Sequence, residues 1–324
     1  MALILFMARR LFYAAILVIG VLILSFLLIR LAPGDPVDTL AGQMGGMTEE
    51  IRAGLRSEYG LDQPTLVQLG IYLERFASGN LGYSYFFNLP VLSLILQRLP
   101  ATLLLVLTAL VVAVLSGTTL GVLASRRPNG LLSQFITVVS VIGYSAPVFW
   151  TGMLLIILFA SVLPILPVSG MTAAAVSGGW LLDSLDVAHH LVLPALSLAV
   201  VYLAQYSRLT RASMLDVLGS DYVRTARAKG LEERKVFFKH AFRNAVLPII
   251  TVVGLQFGNL LAGAIVVETV FNWPGLGRLA FDSVLRRDYP TLLGLLFFSS
   301  LLVIVANQLV DVCYRLADPR IKAS

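Results

Sequence analysis

The stretch Ser220–Pro248, SDYVRTARAKGLEERKVFFKHAFRNAVLP, sets a basic, helix-forming segment between two long apolar runs. Ser220 stands at a capping position, Asp221 falls in the first turn, Lys229 in the last and Gly230 just beyond it. A first helix is therefore predicted over Asp221–Lys229. A second is predicted from Leu231 to about Phe242, with Glu232 and Glu233 near its positive N-terminus and Lys239, His240 and Arg243 near its negative C-terminus.

A helix from Asp221 to Lys229 would be about 14 Å long, too short to be stable alone in water, so something must hold it. Tyr222, Val223 and Ala226 recur at helical spacing on one face, while Arg224, Arg227 and Lys229 take the rest. That pattern suits insertion into a groove of a partner protein. A solvated basic loop touching lipid headgroups fits the charge equally well.

On either side the chain reads as membrane protein, with 58% hydrophobic and 13% charged residues over 324 positions. Six apolar windows lack Asp, Glu, Lys and Arg: 11 to 29, 99 to 125, 131 to 182, 187 to 207, 244 to 267 and 289 to 310. Each holds about the length a bilayer-spanning helix needs, which predicts an all-α protein of six spans. A seventh uncharged stretch, 76 to 97, is broken by Gly79, Asn80, Gly82, Asn88 and Pro90 and is not counted. The helical part of the third window, Leu131 to Leu163, is too long for one straight span, and Gly143, Ser145 and Pro147 predict a bend near its middle. Between the first two spans, Leu66, Leu69, Ile71, Leu73 and Phe76 predict a short amphipathic helix around 64 to 77.

With the N-terminus inside, sixteen of the 24 Lys and Arg fall on inner segments and twelve of the eighteen acids on outer ones. That imbalance places both termini in the cytoplasm and explains the basic balance without nucleic acid. The apolar run from Leu11 to Ile29 exceeds a signal-peptide core and reads as a retained anchor. A single cysteine, Cys313, leaves no intramolecular disulfide and no cysteine metal site.

No G-x-x-x-x-G-K-[ST] loop occurs, so any ATP is expected on another polypeptide. The charge-free windows disfavour ion-coupled carriage, which leaves a secondary transporter or channel as the competing class. Tyr144, Ser145, Tyr202, Gln205, Gln256 and Asn259 are the candidate polar lining of a translocation path, although such groups in helix bundles more often bond neighbouring helices. Gly117-xxx-Gly121 and Gly254-xxx-Gly258 predict close helix packing. His189 and His190 lack partners at metal-ligand spacing, and a hydrolase using Ser145 with one of them is a third, weaker class.

The inner segment resembles the cytoplasmic EAA loop of the membrane subunits of ATP-binding cassette importers, in the form carried by the oligopeptide, dipeptide and nickel permeases. Tyr222-Val223-Arg224-Thr225-Ala226-Arg227-Ala228-Lys229-Gly230 and His240-Ala241-Phe242-Arg243-Asn244 carry that likeness. Arg224 and Thr225 stand where Glu and Ala usually begin the pattern, and Leu247-Pro248 lies further from Gly230, both of which suit the peptide branch. Two further blocks resemble its B-type subunit. The first is Arg30-Leu31-Ala32-Pro33-Gly34-Asp35-Pro36 with Tyr59-Gly60-Leu61-Asp62-Gln63-Pro64 and Gly79-Asn80-Leu81-Gly82, where Asn80 replaces the usual acid. The second is Val267-Glu268-Thr269-Val270-Phe271-Asn272-Trp273-Pro274-Gly275-Leu276-Gly277-Arg278 with Arg287-Asp288-Tyr289-Pro290.

The resemblance implies a six-helix type I importer permease with an N-terminal helix and extracytoplasmic segment over 1–98, a core domain over 99–315 holding the coupling loop at about 208–245, and a tail over 316–324. Its implied ATPase-coupling residues are Asp221, Tyr222, Val223, Arg224, Thr225, Ala226, Arg227, Ala228, Lys229 and Gly230. It implies no cofactor in this chain, ATP and Mg on partner ATPase subunits, a second homologous permease, an extracytoplasmic solute-binding protein, and a multi-pass place in the bacterial inner membrane. The turn from Phe271 to Gly277 is implied to fold back toward the pore mouth.

Overall fold

Apolar windows in a bilayer must satisfy their backbone groups internally, and here they do so as helices. The computed structural model describes residues 2–31, 37, 46, 48–58, 62–173 and 179–317. The helices are α1 (Ala2–Leu31), α2 (Glu49–Glu58), α3 (Thr65–Ala77), α4 (Val91–Arg126), α5 (Leu131–Ser145) and α6 (Val148–Ile156), the last running into a π-helical turn, Ile157–Val162. There follow α7 (Trp180–Leu218), α8 (Asp221–Ala228), α9 (Glu233–Lys235), a π-helix over Val236–Phe242, α10 (Arg243–Ala245), α11 (Leu247–Val270), α12 (Leu276–Leu285) and α13 (Tyr289–Ala317). One antiparallel hairpin pairs β1 (Tyr83–Ser84) with β2 (Leu89–Pro90), Tyr83 facing Pro90.

Among the described residues, four helical stretches are long and apolar enough to cross a membrane, and α5 with α6 makes a fifth if that pair is one span. The first window lies within α1, whose apolar part Phe12–Leu27 is shorter. The amphipathic helix expected around 64 to 77 is α3. The bend expected near Pro147 is a break of 106° between α5 and α6. Ala146 is extended there (φ −79°, ψ 130°), as the residue before a proline prefers.

Two expectations are corrected. The second span does not start at 99: α4 begins at Val91, directly after the hairpin, and takes Arg98 and Pro100 into the helix. The helices also run past the uncharged windows into charged residues. α7 includes Asp183, Asp186, Arg208 and Arg211, and α11 continues past its uncharged window to include Glu268. Charge-free windows mark the apolar middle of a span, whereas the helix goes on until its carbonyls find other partners.

The chain divides into two compact units. One holds the described residues up to 99 together with 279–305. In it, Arg30 of α1 donates to Gln68 (2.7 Å) and Thr65 (3.1 Å) of α3. Phe26, Tyr72, Phe76 and Phe297 follow one another at ring distances of 4.6 to 5.7 Å. Asp288 precedes α13 and accepts from Thr291 Oγ1 (2.7 Å) and from Ser84 of the hairpin (2.5 Å).

The other unit holds 100–278 with 306–317. Its core packs Leu105, Val106, Ala109 and Ala113 of α4 against Leu193, Leu198 and Tyr202 of α7 and Ile249, Leu260 and Val267 of α11. The expected Gly117-xxx-Gly121 contact is real. A Cβ at Gly117 would lie 2.7 Å from the carbonyl oxygen of Leu203, and one at Gly121 2.5 Å from Thr210 Cβ, so only glycine lets α4 approach α7 this closely.

Candidate functional site

The connection between α7 and α11 is built around α8. The helix is eight residues long, ending one residue earlier than predicted. Ser220 has the extended backbone of a cap (φ −72°, ψ 153°), but its hydroxyl donates back to the Val217 carbonyl (2.5 Å) and caps nothing. At the other end the chain turns on Gly230, whose φ of +74° lies in the left-handed region that favours glycine. Its N–H donates to Arg227 O (2.9 Å), and the Leu231 N–H to Ala226 O (3.4 Å).

The apolar face of α8 is not presented to a partner. Val223 is fully buried and Ala226 nearly so, in a cluster with Val236 against which Val217 and Leu218 pack. The chain thus supplies its own groove for the helix. This corrects the expectation that Tyr222, Val223 and Ala226 form one inserting face: Tyr222 stays exposed, and its Oη accepts from Asn244 Nδ2 (2.9 Å). What α8 offers outward is its polar side. Asp221 and Arg224 are 95% and 72% exposed and meet at 3.4 Å, and Thr225, Ala228 and Lys229 are also exposed.

Arg227 bridges the turn with both guanidinium arms, Nη2 and Nε donating to Glu233 at 2.7 and 3.2 Å. The hydrogen bond to Arg227 holds the Glu233 carboxyl below the usual carboxylate range, and the same bond raises Arg227. Both groups are largely exposed, so the pair fixes the geometry of the turn more than it stabilises the fold.

The second predicted helix starts at Glu233, two residues late, and does not stop near Phe242. It passes through the π-helix Val236–Phe242 and α10 almost directly into α11, with Pro248 at a tolerated first-turn position. One side of the π-helix carries Val236 into the α8 cluster. Its Phe237 and Ala241 join Ala245 against Met214 of α7, with Val122 of α4 packed alongside. Arg126 at the end of α4 stacks over the rings of Phe237 (5.4 Å) and Phe238 (5.6 Å). The segment that packs on α8 is thus in apolar contact with the end of α7 and continues along the chain into α11.

At the opposite end of α11, the turn from Phe271 to Gly277 is sealed. Phe271, Trp273 and Glu268 are at most 1% exposed. Trp273 Nε1 donates to Ala101 O (2.9 Å), and Glu268 accepts from Thr102 Oγ1 (2.6 Å) and the Arg278 N–H (3.0 Å). Thr102 Oγ1 in turn accepts from the Leu276 N–H (2.7 Å). A Cβ on Gly275 would strike the Glu268 carboxylate, and one on Gly277 the Cα of Ile265. Proline and glycines mark the turn in the sequence, but its anchor does not show there, because Glu268 stands just past the uncharged window.

Of the candidate path residues, Gln205, Gln256 and Asn259 come together as a hydrogen-bonded series. Tyr202 is buried in the core beside Gly263, and Tyr144 and Ser145 are exposed at the break after α5. His190 Nδ1 lies 2.9 Å from Asp186 O and 3.2 Å from its Oδ1, while His189 Nε2 meets Ile165 O at 3.1 Å. His190 thus bonds within α7 and His189 ties α7 to the segment before it, and neither bonds to Ser145. Among the described residues no group of His, Cys, Asp and Glu is arranged to hold a metal. The motif residues 32–36 and 59–61, the side chain of Cys313 and the tail from 318 lie outside the described residues.

A family model described as the binding-protein-dependent transport system inner membrane component matches residues 117–323, and one for the N-terminal part of such components matches residues 3–106. A di/tripeptide transport system permease protein of Pseudomonas aeruginosa (strain UCBPP-PA14) is 42% identical over 98% of both chains. A dipeptide transport system permease protein of Escherichia coli (strain K12) is 40% identical over 98% of both, and an oligopeptide transport system permease protein of Bacillus subtilis (strain 168) 39% identical over 98% of this chain and 99% of its own. Among solved structures, a chain of the MetNI methionine ABC transporter in an inward-facing conformation superposes with a TM-score of 0.56 at 16% identity, covering 71% of this chain and 98% of that one. A chain of an amino acid ABC transporter gives 0.52 at 15%, covering 69% and 94%. These two likenesses concern the fold.

Proposed function

The chain belongs to the family of binding-protein-dependent transport system inner membrane components, and on that premise we propose that it forms half of a translocation pore for short peptides, driven by separate ATPase subunits acting on α8. The observation that carries the reading is the mounting of α8. Its apolar side is spent on its own chain, its charged side is exposed, and the segment behind it runs into a membrane helix. A surface of that kind accepts a push and cannot itself supply one.

In this scheme the polar side of α8, from Asp221 to Lys229 with the turn at Gly230, meets a partner ATPase that binds ATP and Mg. Both termini and the α8 loop lie in the cytoplasm in this scheme, a placement that the excess of Lys and Arg on those segments supports. A second, homologous permease completes the pore, and a solute-binding protein delivers the solute to the outer side. The N-terminal part to residue 98 serves that outer side, and 99–315 forms the pore and coupling core across six spans. Peptides are the proposed solute class because the full-length relatives are named for di-, tri- and oligopeptides.

The test is to express the chain with its binding protein and second permease, with and without the ATPase subunits, and to follow labelled dipeptide uptake in vesicles. Uptake should require the ATPase and survive a protonophore. Uptake that persists without ATP hydrolysis and collapses with the proton gradient would instead identify a secondary transporter.

A further inference from the structure

Between Arg243 and Glu268, α11 carries two carboxamides one turn apart. Gln256 stands at the middle of that uncharged run and is 8% exposed. Its Nε2 donates to Gln205 Oε1 of α7 (2.8 Å), and its Oε1 accepts from Asn259 Nδ2 (2.9 Å). The three amides form a polarised series that starts in the packed interface of α7 and α11 and ends at Asn259, whose side chain is exposed.

Asn259 lies about 5 Å along the axis from Gln256, so it too stands well inside the uncharged run between Arg243 and Glu268. A carboxamide exposed at that depth does not face hydrocarbon, where its unmet hydrogen bonds would cost several kcal/mol. It faces water or another polar group. Its Nδ2 is engaged by Gln256, which leaves Oδ1 as the atom of the exposed amide that can accept a further hydrogen bond.

We propose that Asn259 is a contact point for the passing solute, its Oδ1 accepting an N–H from the amide or ammonium groups of a peptide, with Gln256 and Gln205 as positioning residues that hold its orientation. The proposal rests on the reading of the chain as a peptide permease. It divides the earlier candidates: Tyr202 belongs to the core, and nothing links Tyr144 or Ser145 to the amide series.

The experiment uses the whole transporter in proteoliposomes. With Asn259→Cys in a Cys313→Ser background, a charged thiosulfonate reagent should label this chain, and saturating dipeptide with its binding protein and ATP should slow the labelling. Asn259→Leu should lower dipeptide uptake about tenfold, the loss of one hydrogen bond worth about 1.4 kcal/mol, while Asn259→Gln, which keeps both the amide donor and the acceptor, recovers part of it. Failure to label would overturn the proposal, since the site would then face lipid or protein. So would loss of the second permease from the purified Asn259→Leu complex, which would make Asn259 an interface residue. Wild-type uptake that is ATP-driven and matched by Asn259→Leu would overturn this contact alone; wild-type uptake that needs no ATP would overturn the functional reading beneath it.

Discussion

The two ends of α11 are held in opposite ways. Its C-terminal end, the outer one in the proposed orientation, closes on a turn with a buried tryptophan, a buried carboxylate shared between a hydroxyl and a backbone N–H, and two glycines that admit no side chain. Its inner end runs through a π-helix to a helix of eight residues held by three small buried side chains and one exposed ion pair. Local stability follows buried apolar contact, so the outer end should stay fixed while the inner end moves on its own. A span anchored at one end and handled at the other is suited to transmitting a push.

The sharpest way to break this contrast is at the outer end. Trp273→Ala removes a fully buried ring and its bond to Ala101, and should destabilise the fold by about 3 to 5 kcal/mol, read as a large drop in thermal unfolding temperature in detergent. Gly277→Ala should act in the same direction, since its methyl meets backbone that cannot yield. A small effect for both would mean that the outer turn is no anchor.

At the inner end the effects should be smaller and local. Val223→Ala should cost about 2 kcal/mol, and hydrogen exchange should show it as faster exchange over 221–228 with the core of α7 and α11 unaltered. Gly230→Ala has free space for its methyl, so its only penalty is the left-handed backbone, about 1 kcal/mol. It should lower transport per ATP hydrolysed more than it lowers thermal stability.

The smallest effect concerns the ion pair. Because Glu233 is held below its ordinary range in the folded state, its contribution is present above the unfolded carboxylate pKa and is lost as pH falls through the lowered folded value. Arg227→Ala should therefore change stability by less than about 1 kcal/mol at neutral pH and not at all once Glu233 is protonated, as paired thermal melts would show. An undiminished difference in acid would point to packing rather than charge.

Much of this was legible in the chain. Asp221, Gly230 and Pro147 marked a helix start, a turn and a break, because each acts through the backbone within a few residues of itself. The docking of Val223 and Ala226 on Val236 was not legible. Spacing on a short helix shows that a face is apolar without showing what covers it. The early start of α4 was hidden by Arg98 and Pro100, and the reach of α11 by Glu268, whose partners Thr102 and Arg278 lie elsewhere in sequence. The π-helix left no trace, since its apolar pattern over Val236–Phe242 reads as ordinary helix.

Arg224, exposed on the free side of α8, gives the most direct test of where the motor acts. With Arg224→Cys in a Cys313→Ser background, a short bifunctional thiol reagent should join this chain to an ATPase subunit in the working transporter, with a yield that changes when ATP is bound. A complex that turns over ATP and imports peptide while Arg224→Cys stays freely reactive and never cross-links to the ATPase would contradict the account.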